Sequence, residues 1–210
     1  MGVLRYTAAV LAGISLATSV KAEGFDLDKV GTQPTGWSCG VTGSGSPRWA
    51  VQPDVSAPSK PNVLLQSGVG SYPWCVRSGV SLRDGFVEVK FKPVGGREDQ
   101  AGGLVWRWRD PDHYYVARAN ALENNVSLYY TEGGQRHTLK YADAPVPLGQ
   151  WSALRVEFSG KRILVLLNGK VYIDIDDDHL ANGGSVGIWT KADSITAFDD
   201  FSFGERQQGR

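Results

Sequence analysis

Arg107, Arg118, Asn120, Trp189 and Lys191 are hydrogen-bond donors and a large ring set in or beside short apolar runs, and their spacing decides whether they can act together. In an extended chain successive side chains point to opposite faces. Leu104, Trp106 and Trp108 then share one face, and Val105, Arg107 and Arg109 share the other. Tyr114, Val116, Arg118 and Asn120 fall on one side of the next run, while Gly187, Trp189 and Lys191 lie opposite Val186 and Ile188. Cations, an amide and an indole on one face of a sheet make a ligand surface, with the ring covering apolar area and the donors fixing orientation. The same pattern also fits a solvated face on which amphipathic side chains lie flat. Other chemistries lack their motifs: there is no G-x-S-x-G, no H-E-x-x-H and no phosphate-cradling glycine loop. The densest acidic run, Asp174-Ile-Asp-Asp-Asp-His179, lacks the glycine and terminal glutamate of an EF-hand and reads as a solvated hairpin end.

The elements that must position these side chains are strands. Strand-like runs cover 62–66, 86–91, 104–108, 114–118 and 126–130, then 154–158, 163–167, 171–173, 186–189 and 197–203. Turn signals separate them at short spacing: Arg83-Asp-Gly85, Gly95-Gly96, Glu132-Gly-Gly134, Ser159-Gly160, Asn168-Gly169 and Asn182-Gly-Gly184. No amphipathic helical stretch of useful length follows Gly24. That rhythm predicts an all-β sandwich. Asn168-Gly169 predicts a two-residue hairpin between 163–167 and 170–173.

With 210 residues and 41% hydrophobic content, the chain can bury one full core. Its 22 Lys and Arg balance 22 Asp and Glu, so no strong field recruits nucleic acid or an anionic membrane. Met1 to Ala22 reads as a signal peptide: Arg5 is the positive end, Tyr6 to Leu16 the apolar stretch, and Val20-Lys21-Ala22 the cleavage site. That stretch is too short to span a membrane. The expected domain is then 23–210, periplasmic or secreted. In an oxidising compartment Cys39 and Cys75, the two cysteines of the sequence, pair most simply with each other, two separate buried thiols being the alternative.

Several segments stand in a recognisable order: Asp99-Gln-Ala-Gly-Gly-Leu-Val-Trp106, Tyr114 to Glu123, Val165-Leu-Leu-Asn-Gly-Lys170, and Val186-Gly-Ile-Trp-Thr-Lys-Ala-Asp193 followed by Phe198-Asp-Asp200. This series resembles the concanavalin A-like lectin/glucanase superfamily, and within it exported bacterial domains of the laminin-G-like and 3-keto-disaccharide hydrolase type. The resemblance covers almost all of the chain after the leader. It implies a jelly-roll β-sandwich of two antiparallel sheets, one of them concave, with glycans as the usual ligand. It does not choose among lectin, hydrolase and adhesive module.

Glucanases of that superfamily carry their acids on one strand as Glu-x-Asp-x-Glu, because glycoside cleavage uses two carboxyl groups flanking the bond. The run is absent here. Glu88 has apolar and basic neighbours, and Glu123 precedes Asn124-Asn125. The hydrolase branch instead suggests proton abstraction beside a keto group, with Asp99, Glu123 or Asp193 as candidate base. His113 follows Asp110-Pro-Asp112 and reads as a turn residue. The resemblance also suggests a structural calcium joining the first and last strands, through Asp26 or Asp28 with Asp199 or Asp200, and Asp28 with Asp200 in particular. The leading expectation is an exported jelly roll that binds carbohydrate on its concave sheet. Trp189 would stack on the ligand, and Arg107, Arg118, Asn120 and Lys191 would hydrogen-bond to it. A keto-glycoside hydrolase or lyase and a non-catalytic cell-envelope module are the alternatives. Trp106 is assigned to the core.

Overall fold

The computed structural model describes residues 22–205, so the signal-peptide reading, apart from Ala22, lies outside the described residues. These residues form strands and no helix. The first sheet runs β1 (Trp37–Ser46), β4 (Val69–Arg77), β13 (Ser185–Trp189), β6 (Ala101–Asp110), β7 (His113–Asn120), β8 (Asn125–Glu132) and β9 (Gln135–Asp143). The second runs β12 (Lys170–Asp176), β11 (Arg162–Leu167), β10 (Ser152–Ser159), β5 (Gly85–Gly95), β14 (Ile195–Glu205), β3 (Asn62–Gln66) and β2 (Trp49–Pro53). Both sheets are antiparallel, and the fold is the expected all-β jelly roll. At the β11–β12 turn Asn168 and Gly169 have φ of 50° and 78°, the left-handed pair that a two-residue hairpin requires.

The two sheets differ in how their strands are buried. The second alternates cleanly: Val87, Val89 and Phe91 of β5 are buried, while Glu88, Lys90 and Lys92 between them are less so. Register sets Arg155 of β10 opposite Glu88, and its guanidinium donates to Glu88 and Glu157, each at 2.8 Å. That outer face is polar and wet. In the first sheet nearly every residue of β6, β7 and β13 is buried, whichever way its side chain points. Inward lie Leu104, Trp106, Tyr115, Ala117 and Ile188, packed with Val87, Phe91, Val156 and Phe158 of the other sheet. Trp106 is fully enclosed there, stacked on Tyr115 and Phe158 at 5.2 and 6.0 Å, as its assignment to the core requires. Outward lie Trp74, Val105, Tyr114, Val116, Tyr129 and Trp189, equally buried in a second apolar layer. A sheet that hides its outer face has covered it with something, and Tyr72 and Arg136 are part of that cover.

Cys39 and Cys75 form a disulfide between facing residues of β1 and β4. The residues are 36 apart in sequence, and closing such a loop restricts the unfolded chain by about 4 kcal/mol on the chain-entropy argument. Replacing both cysteines by serine is expected to lower stability by about 2–4 kcal/mol. Urea unfolding of the two forms measures this, and coincident midpoints would show that the cross-link contributes nothing.

Candidate functional site on the concave face

The curvature of the first sheet follows from which side chains meet. From β4 to β9 there are five strand spacings, or roughly 24 Å in a flat sheet at about 4.8 Å each. Yet the guanidinium of Arg136 on β9 stands 4.9 Å from the ring centre of Tyr72 on β4. It also lies 4.2 Å from Tyr129 on β8 and 5.8 Å from Trp189 on β13. Only a sheet bent hard toward this face brings its distant strands within reach of one side chain. The outer face of the first sheet is therefore concave, and its hollow is filled with rings.

Register lays out the floor. Trp74, Trp189, Gly103, Arg118, Ser127 and Tyr141 form one row across β4, β13, β6, β7, β8 and β9. Gly103 is small for a reason: a Cβ there would sit 3.2 Å from the Trp189 ring and 2.9 Å from the Ala117 carbonyl oxygen. The indole of Trp189 thus lies across β6 and stacks on Tyr72 at 5.8 Å with 15° between the planes. Tyr129 packs edge-on against Tyr141 at 5.8 Å and donates its hydroxyl to Tyr141 Oη at 3.3 Å. Burial pushes the Tyr129 hydroxyl up to about 12.

A polar cluster borders the rings. Asp99, fully buried just before β6, accepts from Asn120 Nδ2 at 2.8 Å, from Lys191 Nζ at 2.7 Å and from Arg118 Nη1 at 3.4 Å. Arg118 also donates to Ser127 Oγ at 3.1 Å, Glu123 Oε2 at 2.5 Å and Asn125 Oδ1 at 3.2 Å. Burial acts to raise the Glu123 carboxyl, but the Asn125 hydrogen bond and the Arg118 charge outweigh it and hold it below its ordinary value. Asp193 lies beside the cluster and takes the backbone N–H groups of Arg97, Glu98 and Asp99 at 2.7, 3.0 and 3.1 Å. Burial works to raise its carboxyl, and these donors overcome it, so the net shift is downward. Its part is to hold the loop that delivers Asp99.

The structure gathers Arg118, Asn120, Trp189, Lys191, Asp99 and Glu123 on one face. Two expectations need correction. Trp189 faces away from the inter-sheet core, as alternation assigns it, but its ring is 0% exposed beneath Tyr72 and Arg136 and is no open stacking platform. Arg107 is elsewhere. A register irregularity in β6 and a φ of 46° at Arg107 break the alternation and turn the side chain from the concave face. Its buried guanidinium donates to the carbonyls of Arg83, Leu180 and Gly160 and lies 5.5 Å from the core ring of Phe158.

Asp28 and Asp200 lie apart from this face, lining a cleft of about 560 Å³ beside the first described residues. Asp28 accepts the Thr35 N–H at 2.8 Å, and Asp200 pairs with Lys90 at 2.7 Å. Among the described residues no three or more His, Cys, Asp or Glu side chains gather as metal ligands. His113, expected in the turn, instead opens β7 just after it, with Nδ1 2.9 Å from Asp110.

Among the residues of this face that escaped the sequence reading are Tyr72, Tyr129, Arg136 and Tyr141. Arg136 and Tyr141 are five apart, so strict alternation sets them on opposite faces. A register shift between β8 and β9 brings both to the concave side.

No family model matches this sequence, and no curated protein matches it. Solved structures do. A carbohydrate binding module, CBM66, from Bacillus subtilis aligns with a TM-score of 0.67 at 20% identity, over 81% of this chain and 96% of that one. A Bacillus licheniformis β-glucanase gives 0.56 at 11% identity, over 85% and 96%. The exoplasmic/lumenal domain of VIP36 in its Ca2+/Man-bound form gives 0.56 at 13%, over 90% and 91%. At these identities the likeness is one of fold. The chain has the jelly roll that galectin-like and concanavalin A-like proteins share, built here around a concave face of rings and paired charges.

Proposed function

We propose that this chain binds carbohydrate on the concave face of its first sheet and works in an oxidising compartment outside the cytoplasm. The observation that carries the reading is a half-exposed ring, Tyr141, placed in the row next to an ordered polar cluster with accessible outer members. Tyr141 is 50% exposed, and the side chains of Glu123 and Lys191 are 40% and 28% exposed. A sugar offers an apolar C–H face and a polar edge, which match a ring beside fixed donors and acceptors. Lys191 and Glu123 are the hydrogen-bonding contacts. Trp189, Arg118, Asn120 and Asp99 lie beneath them as a rigid floor that fixes their positions. Among the solved structures of the same fold are a module and a lumenal domain described as carbohydrate-binding and mannose-bound. The Cys39–Cys75 disulfide supports export.

The enzyme alternative gains no support from the cluster. Asp99 is enclosed and engaged by three donors, so it does not meet a substrate. Glu123 is clamped by Arg118 and Asn125. Asp193 spends its oxygens on backbone N–H groups.

A glycan array, probed with and without added calcium, finds the ligand. Tyr141→Ala should then weaken binding about tenfold, or about 1.4 kcal/mol, with melting unchanged because the ring is half in solvent. If no glycan on the array binds, the carbohydrate reading is wrong. Full affinity in the variant would move the contact away from Tyr141.

A further inference from the structure

Resting on that reading, we propose that the ligand carries an anionic substituent, a uronate carboxylate or a sulfate ester, and that the guanidinium of Arg136 receives it. The charges of the concave face argue for this. Arg118 and Lys191 stand against Asp99 and Glu123, two cations on two anions, each in direct contact. The cluster is balanced without Arg136. Among the described residues the Arg136 guanidinium makes no ion pair and donates no hydrogen bond, and Nη1 is buried with no acceptor.

What holds Arg136 is aromatic. Tyr129, Tyr72 and Trp189 surround its guanidinium at 4.2, 4.9 and 5.8 Å. Ring faces attract the charge but offer its N–H groups no acceptor in the plane of the fork. Nε and Nη2, equally without an acceptor but still reached by solvent, form the open edge of the fork, and an anion arriving there compensates a charge that the rings hold partly out of water. The guanidinium matches carboxylate and sulfate oxygens through two parallel N–H···O bonds. A hydroxyl would meet one donor and leave the charge uncompensated. Because the rings already fix the side chain, little conformational freedom is lost on binding. Arg136 is only partly buried, and the exposed ring of Tyr141, whose hydroxyl meets that of Tyr129, marks the open side.

The test titrates the purified protein with matched oligosaccharides: galactotriose, trigalacturonate and sulfated galactotriose, then the same three classes across an array. An anionic probe should bind about tenfold or more tighter than its neutral counterpart, with the advantage shrinking at high salt. Whether the uronate or the sulfate shows the gain identifies the substituent. Arg136→Gln should erase the advantage and leave neutral binding in place. Arg136→Lys keeps the charge without the planar fork and should keep part of it. Should the Gln variant fail to fold, the Lys variant and the salt series decide. Unchanged anion affinity in Arg136→Lys together with salt-independent binding overturns the proposal. So does an anion preference that survives in a folded Arg136→Gln. Binding confined to neutral glycans removes the inference and leaves carbohydrate binding standing. Silence across the whole array removes both.

Discussion

Trp189→Ala is expected to lower folding stability by about 3–5 kcal/mol, the range for truncating a large enclosed ring. The indole has no exposed surface, bridges across Gly103, and supports both Tyr72 and Arg136. Its removal leaves a cavity that the bent sheet cannot close without shifting β13 against its neighbours. A ring on an open ligand platform would behave otherwise, weakening binding while leaving the melt alone. Trp106→Ala, in the inter-sheet core, should cost a similar amount, and Val171→Ala, at an exposed position on β12, close to nothing. Chemical unfolding of the three variants separates the cases. If Trp189→Ala unfolds with the wild-type midpoint, the ring is not part of a packed layer.

Asp99→Ala should be as damaging, about 3–5 kcal/mol, through charge rather than volume. Arg118 is almost fully buried and Lys191 partly so, and both lean on one carboxylate that also holds Asn120. Deleting it leaves Lys191 without its ion pair, Asn120 without its acceptor, and the buried Arg118 with the part-exposed Glu123 as its one remaining counter-charge. Asp99→Asn keeps the shape and removes the charge, so the difference between the two variants divides packing from electrostatics. Equilibrium unfolding at neutral pH is the measurement. A loss below about 1 kcal/mol for Asp99→Ala would mean that water replaces the carboxylate and that the site is wetter than its burial indicates.

Period-two patterning made much of the architecture legible. The apolar runs fall within β3, β5 to β8 and β10 to β14, and the Asn-Gly hairpin lies where it is expected. β1 is rich in glycine and serine, and β9 is a polar edge strand; neither needs hydrophobic alternation, because each is buried weakly or on one side. Losing β4 and β9 lost Tyr72, Arg136 and Tyr141. The remaining misreadings, Arg107 and Trp189, have different causes. Alternation names a face, but a bulge reverses it, as at Arg107 and again between Arg136 and Tyr141. It also says nothing of depth. Trp189 is on the concave side as its parity requires, yet how far a sheet bends depends on side chains from strands far apart in sequence. No local window contains that information.

The sheet order sets a schedule for the growing chain. In the first sheet β13 lies between β4 and β6, and in the second β14 lies between β5 and β3. Both strands that close the sheets therefore emerge last. Until residue 189 is available the strands of the first sheet can pair only within two separate sets, β1–β4 and β6 to β9, with no Trp189 over Gly103. Until β14 follows, the second is likewise split into β12–β11–β10–β5 and β3–β2. Each break exposes a pair of unpaired strand edges, which invite pairing with other chains. A chain interrupted before β13 would hold four such edges and no concave site. The native sandwich, and with it the concave face, is complete only once β14 has paired with β5 and β3.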